Sequence, residues 1–359
     1  MSDKNLCPSW LTPADFADWD AFASRHPFGL VYHLSAWKEA LEKSFSHIKG
    51  NFLVLRDVGS GEIAAGIPVY TVRSWLLGNR IVSIPYASIF DPLISSNDQF
   101  RLLLLELFAL QRKTGSGFIE LRTLKTAPLI TAPSAVATTH LRHHFLPIDR
   151  PIEELEKHLP YKSIQQVIHR AVRDGLNVEK VPAVEAIPCF HDLFAQTRKR
   201  LSLPLIPASF FMALANSFDN ERLKIFFARI GEKRIAALIT LSFNGTLHLE
   251  HYGAAPEAYQ NGASQLLYWE AIKYARLTGC REVSFGRTDV RDSGLLAYKR
   301  RWGAVEEPIV ISTIGSQAQK KGFIDSQWAR RNRALQWASS HAPLSFRKLI
   351  SSVIYHHHG

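Results

Sequence analysis

Two stretches of the chain show the same succession of apolar and polar positions. The first begins with GEIAAGIPVYTV at Gly61, continues through FRLLLLELFALQRKTG and ends in FIELRT. The second begins with GEKRIAALITLSF at Gly231, continues through ASQLLYWEAIKYARLTG and ends in EVSFGRT. In each, near-alternation predicts a strand, a three-to-four-residue recurrence after it predicts an amphipathic helix, and a short apolar run predicts a second strand. Thr114-Gly115 and Thr278-Gly279 stand where the helices should stop, since glycine accepts the left-handed backbone of a helix end. Arg122-Thr123 and Arg287-Thr288 close the second strands. The ordered set predicts two copies of one α/β unit.

Between the copies, IEELEKHLPYKSIQQVIHRAVRDGLNVEKV places Leu155, Leu159, Ile164, Val167, Ile168, Ala171 and Val172 at helical spacing. Pro160 should split this helix and Gly175 should end it. Its second half carries Lys162, His169, Arg170 and Arg173, a cationic face that is either solvated or set beside an anion-binding cleft. The Pro, Ala and Thr-rich LKTAPLITAPSAVATT leads to a domain boundary near Asp149. The expected organisation is therefore an N-terminal domain over 1–149, a C-terminal domain over 150–315 and a tail over 316–359. That tail carries Lys320, Lys321, Arg330, Arg331, Arg333, Arg347 and Lys348 against Asp325, with Trp328, Leu335 and Trp337 as apolar anchors. Such a basic amphipathic tail suits either an anionic membrane surface or docking on the protein's own domains.

Composition narrows this picture. At 359 residues, 46% hydrophobic and 21% charged, the chain reads as soluble, globular and too long for one ordinary core. A formal charge of +11 favours an anionic partner, whether nucleic acid, a phosphorylated small molecule or a membrane surface, and does not choose among them. The N-terminus lacks the apolar core of a secretion signal, and the longest apolar run, RLLLLELFAL, is broken by Glu106 well short of the roughly 20 residues a bilayer span needs. Cys7, Cys189 and Cys280 are too scattered for a disulfide framework or a metal pair. The expected location is the cytoplasm, with the tail able to reach the inner face of the membrane.

Several familiar chemistries have no sequence here: there is no G-x-S-x-G elbow, Walker sequence, H-E-x-x-H or C-x-x-C. HLRHH, with His140, His143 and His144, has no carboxylate or cysteine at ligand spacing and reads as an exposed, weakly structured segment with no metal. In LHLEHY, alternation puts His248, Glu250 and Tyr252 on one face of a strand. Either this face is solvated or it lines a cleft. YQNGASQLLYW sets Gly262, Ala263 and Ser264 ahead of a helix whose N–H groups suit pyrophosphate or carboxylate. Acyltransferases of the GNAT superfamily bind acetyl-CoA at such a loop, and here the match is partial: Tyr259 stands at the first position and Gly262 and Ser264 at the small-residue positions. In VSFGRTDVRDSGLLAYKRRWG, from Val283, a Gly286-Arg287 strand end precedes Tyr298, Lys299, Arg300, Arg301 and Trp302. Cations between aromatics suit a phosphate with a stacked base, or cation–π packing within the protein.

Those last residues resemble a family signature. FGRTDVRDSGLLAYKRRWG is similar to the aromatic-Lys-x-x-aromatic-Gly segment of FemAB-like transferases, tandem-GNAT proteins, with Tyr298, Lys299, Trp302 and Gly303 at its marked positions. The resemblance extends from about residue 10 to residue 313, through VYHLSAWKEAL with Trp37, IVSIPYASIFDPL with Pro85, FIELR with Glu120 and Arg122, TRKRLSLPLIPASFF with Arg200, Pro204 and Phe210, and YWEAIKYARLTG with Trp269. It implies an α/β (α+β) fold of two GNAT-like domains, each with a mixed central sheet flanked by helices. It also implies transfer of an acyl or aminoacyl group to an amine of a cell-envelope, peptidoglycan or exopolysaccharide precursor, from acyl-CoA or aminoacyl-tRNA, so that the anionic partner would be tRNA, CoA or a nucleotide- or lipid-linked sugar. Lys299 would then stabilise the developing oxyanion or hold the donor's phosphates, with Arg287 and Tyr298 in the same pocket. Trp37, Tyr86 and Arg122 would serve the acceptor, and Glu250, Tyr252, Arg300 and Trp302 would complete the substrate site. Gly262 and Ser264 would contact the donor cofactor. No side chain is marked as a general base. The inserted helical arm of tRNA-using relatives would show sustained heptads, and none occurs. A non-catalytic duplicated scaffold and a nucleic-acid-binding protein are the competing readings.

Overall fold

The structure, a computed structural model, describes residues 5–75, 78–132 and 135–315. The basic tail and its expected membrane face lie outside the described residues. Two compact units divide the chain, one formed by the residues up to His140 together with those from Pro308, the other by Leu141–Glu307.

In the first unit β1 (Leu6–Trp10), β2 (Ile48–Asp57), β3 (Ile63–Val72) and β4 (Arg80–Val82) form an antiparallel meander, and β5 (Ile119–Thr123) runs parallel to β4. α1 (Phe16–Arg25), α2 (Ser35–Ser44) and α3 (Asn97–Thr114) flank the sheet. Strand alternation sends Phe52 and Val54 to Trp19 and Ala23 of α1. α3 packs across β1, β2 and β3. It is capped at its start by the Ser96 hydroxyl, which accepts from Gln99 N at 3.1 Å, and ends at Gly115 with φ 62°.

The second unit repeats the plan. β6 (Val136–Pro147) enters it at Leu141 and leads to α4 (Ile152–His158), which ends before Pro160. One π-helical turn, Tyr161–Gln165, then joins α5 (Gln166–Arg173). Next come β7 (Leu176–Val181), α6 (Ala183–Arg200), α7 (Ala208–Ser217), β8 (Leu223–Ile230), β9 (Lys233–Phe243) and β10 (Thr246–Ala254). They are succeeded by α8 (Ala263–Leu277), β11 (Glu282–Asp289), α9 (Ser293–Arg301) and β12 (Val305–Ile314). The sheet is again an antiparallel meander, β7 to β10, with β11 parallel to β10. One face packs on α5 and α8 through Ile168, Ala171, Leu266, Leu267 and Ile272, and the other meets α6 at Gly253 and Phe194.

Both copies read from the sequence are thus present as units with the same strand order, and the mixed α/β class holds. Beyond the fifth strand of each unit the chain departs from a simple tandem array. β6 succeeds β5 in sequence, yet from Leu141 it pairs antiparallel with β11. β12 succeeds β11, yet from Val310 it pairs antiparallel with β5. Each sheet therefore takes its sixth strand from the other half of the sequence. The change of unit accordingly falls inside β6, at His140, rather than at the 149/150 division expected from the Pro- and Thr-rich segment, and the chain from Pro308 returns to the first unit. Hydrophobic pattern reports that a strand is buried, not which edge it joins.

Candidate active site

In the second unit the parallel strands β10 and β11 pair only from Thr246↔Glu282 to His248↔Ser284. Both then carry a bulge, between Leu249 and His251 and between Ser284 and Gly286, and run on apart to Ala254 and Asp289. An extra residue inverts the facing of every residue after it. Glu250 is that residue in β10. Simple alternation had grouped Tyr252 with His248; instead Tyr252 turns to the α8 side with Leu247 and Leu249, and His251 turns to the aromatic rings of Phe194 and Phe211.

α8 begins where the two strands have parted. Its N-cap, Gly262, has φ 72°, and a Cβ there would lie 2.6 Å from Val167 Cγ1 of α5. Only glycine meets both demands. Ser264 is the second residue of the helix. Beneath it Tyr252, Tyr268 and Tyr298 stand edge to face, with Tyr268 centroids 6.2 Å from Tyr252 and 6.0 Å from Tyr298, and Trp302 lies 5.9 Å from Tyr268. The hydroxyls of Tyr252 and Tyr298 and the indole N–H of Trp302 are buried without a well-formed hydrogen bond. Burial pushes the two hydroxyls' pKa values up, while the Trp302 indole and then the Ser264 hydroxyl act the other way on Tyr298, and Ser264 does so on Tyr252. Buried polar groups in folded proteins are nearly always paired, so a cluster of such groups marks a place where water or a ligand supplies the partners.

The bulge in β11 sets the second part of the site. In a regular strand successive carbonyls point in opposite directions. Gly286, at φ 68°, breaks that rule, and the carbonyls of Gly286 and Arg287 converge on Lys299 Nζ at 3.1 and 3.2 Å. Lys299, on α9, is 5% exposed. Burial lowers its pKa to about 7, against a smaller upward pull from Asp292, whose carboxylate caps α9 by accepting from Leu295 N. His144 is fully buried in β6, with Nε2 3.3 Å from Glu306 Oε2, and Glu306 Oε1 accepts from Arg300 at 2.6 Å. Burial, then the Lys299 charge, lowers the His144 pKa.

The histidine-rich HLRHH segment is therefore corrected from an exposed run to a strand in which His143 is 4% and His144 0% exposed. The burial of these neighbours could not be read from the sequence because both are polar residue types. Among the described residues no group of His, Cys, Asp and Glu gathers as a metal ion requires. The Arg287 side chain is exposed, so it is the backbone of this residue, not its guanidinium, that meets Lys299. The involvement of His144, Glu306 and the Gly286 carbonyl was not foreseen; the one local signal was a glycine inside a strand pattern, which marks a bulge.

In the first unit the loop from Ser83 to Phe90 is tied to β5 at both ends, Ser83 N donating to the Glu120 carbonyl and Phe90 N to the Arg122 carbonyl, each at 2.9 Å. Trp37 is fully buried and its indole donates to the Pro85 carbonyl at 3.3 Å. The next residue, Tyr86, has φ 61°, an uncommon conformation for a side-chain-bearing residue, and its ring stacks on Phe45 at 4.8 Å. Arg122 Nε donates to Glu120 Oε1 at 2.8 Å, with both side chains nearly buried. Tyr86, Arg122 and Trp37 are thus gathered about one loop, Trp37 as its support.

The pairing pattern and the α8 start correspond to a known domain. Residues 161–300 match the family of acetyltransferase (GNAT) domains. No curated protein matches the sequence. Among solved structures, FemX is similar over 89% of this chain and 100% of its own, at 14% identity and a TM-score of 0.72. The C-terminal domain of a putative lysylphosphatidylglycerol synthetase from Agrobacterium fabrum matches 88% of this chain and 96% of its own, at 11% identity and a TM-score of 0.57. A tandem GNAT protein from the clavulanic acid biosynthesis pathway matches over 86% and 98%, at 12% identity and a TM-score of 0.51. The segment that matches lies within the second unit, and the enzyme class that goes with such a domain is acyl transfer. The chain as a whole has the tandem fold seen in FemX.

Proposed function

We propose that the chain transfers an acyl or aminoacyl group to an amine of a cell-envelope or exopolysaccharide precursor, and that the donor, acyl-CoA or aminoacyl-tRNA, lies between β10 and β11 with its phosphates at the start of α8. The observation that carries this reading is the cluster of buried donors without well-formed hydrogen bonds, Tyr252, Tyr298 and Trp302, under a helix N-terminus where two parallel strands part. Helix N–H groups favour phosphate, and these hydroxyls suit the amides, ribose or ester of a donor.

Acyl transfer to an amine forms a C–N bond and breaks a C–S or C–O bond, and the nucleophile loses protons along the way. In its neutral form Lys299 has two N–H bonds, enough for the Gly286 and Arg287 carbonyls, and one lone pair left over. With a pKa near 7 it takes that form readily. We assign it the proton of the attacking amine, to be passed on to the leaving sulfur or oxygen. An ammonium Lys299 would keep a third N–H for the developing oxyanion while donating to both carbonyls, so the two roles differ in which charge state is active. The FemX-like fold and the net charge of +11 support an anionic donor or acceptor.

Calorimetric titration of acetyl-CoA and of aminoacyl-tRNA, each at matched salt, tests the reading. Binding of one donor is expected, weakened about tenfold or more in the Tyr252→Phe, Tyr298→Phe double variant by loss of charge-assisted or multiple hydrogen bonds. Lys299→Met should keep binding and lose turnover. Silence with both donors would sink the proposal.

A further inference from the structure

The first unit contains a cleft of about 410 Å³ between α3 and the sheet, within the range of small-ligand sites. Its sheet wall is made by Trp10 of β1, Lys49 and Asn51 of β2 and Thr71 of β3, and its helix wall includes Glu106 and Lys113. Lys49 and Thr71 lie directly opposite each other across β2 and β3, and Trp10 lies opposite Leu53. Lys49, Asn51 and Leu53 therefore share the face beneath α3. A sheet face under an amphipathic helix is normally apolar, as it is at fully buried Leu53. Towards Lys49 this one turns polar.

The charges in the cleft are arranged by the fold. The Asn79 side chain, just before β4, donates to the Thr114 carbonyl at 3.1 Å, and Arg80 pairs with Val72 of β3. The C-terminal turn of α3, with Lys113, thus lies at the Lys49–Thr71 end of the cleft. Glu106 is two turns earlier on the same helix face, about 10 Å inward. That separation is too long for a Glu106–Lys113 ion pair, and among the described residues Lys49, Lys113 and half-buried Glu106 have no ionic partner. A cleft with two cations at one end, a carboxylate further along and an indole on its sheet wall matches a molecule with the opposite polarity.

We propose that this cleft binds a small zwitterion built on a ring, with its phosphate or carboxylate at Lys49 and Lys113, its amine at Glu106 and its ring against Trp10. Asn51 and Thr71 add hydrogen-bonding groups along the sheet wall. The site belongs to the first unit alone and stands whether or not the second unit transfers acyl groups.

The test is calorimetric titration of the full chain with glucosamine 6-phosphate, glucose 6-phosphate and glucosamine. Glucosamine 6-phosphate should bind tightest, with each of the other two weaker by about tenfold for the missing charge. Glu106→Gln should bring glucosamine 6-phosphate down to the level of glucose 6-phosphate. Lys49→Met with Lys113→Met should weaken both phosphates by about tenfold and leave glucosamine unchanged. These side chains are exposed or half-buried, so the variants should melt as the wild type does. Equal affinity for the three ligands, affinities unmoved in both variants, or no saturable binding at millimolar concentration would overturn the proposal.

Discussion

At the residue scale the site depends on groups whose surroundings oppose their usual state. Lys299 is a cation-former held by two carbonyls, and burial outweighs the pull of Asp292 and brings its pKa to about 7. If it accepts the nucleophile's proton, kcat/KM should rise tenfold per pH unit below about 7 and level off above it. A pH profile that falls through 7 would instead mean that the ammonium form is the active one. The linked effect on stability has a definite sign. The unfolded lysine binds its proton up to about 10.5 and the folded one only to about 7, so this group's contribution to stability rises between those values. Tyr86 is the other residue of this kind, an aromatic held at φ 61° in a loop anchored to β5. Such a conformation costs on the order of 1 kcal/mol and is retained where the ring's position matters. Lys299 and Tyr298 were visible as a motif, and Tyr86 only by resemblance; the pairing of Lys299 with two carbonyls was in neither, since it depends on a backbone angle thirteen residues away in sequence.

At the scale of elements, the helices and the meander strands were legible because burial has the period of the element. α3 and α8 both end at the Thr-Gly pairs read from the sequence, and Pro160 separates α4 from the π-helical turn. The two bulges were not legible, and they decide the site. Each adds a residue with no partner, so alternation taken straight through LHLEHY placed Tyr252 on the wrong face. The α8 start makes a direct prediction. Gly262→Ala forces a side chain into a left-handed backbone and against Val167, and should cost about 1–2 kcal/mol in a denaturant melt. Val167→Ala in the same chain should recover the steric share and leave the backbone share. Donor affinity should fall in both, because the N–H groups at the helix start move with the cap. Full recovery of stability in the double variant would mean that the φ angle of Gly262 carries no cost.

At the scale of the whole molecule, the exchange of sixth strands makes each unit depend on both halves of the sequence. β5 receives its antiparallel neighbour from residues more than 180 positions away, as in the 187-residue separation of the Thr123–Val310 hydrogen bond. Ser312→Pro, opposite Leu121, removes a donor from that ladder. Amide exchange should then quicken in β5 more than in β9, which draws its partners from β8 and β10 alone. Equal protection in the two strands would show that β5 does not need β12. The sequence by itself determined the α/β class, the duplication, most helix limits and the family to which the signature points, because each of these is written in local spacing and residue type. The tertiary structure alone decided which strands share an edge, which way Tyr252 faces, where the two carbonyls meet Lys299 and which charges are left without partners. Those outcomes depend on distances between residues far apart in sequence, and periodicity holds no record of such distances.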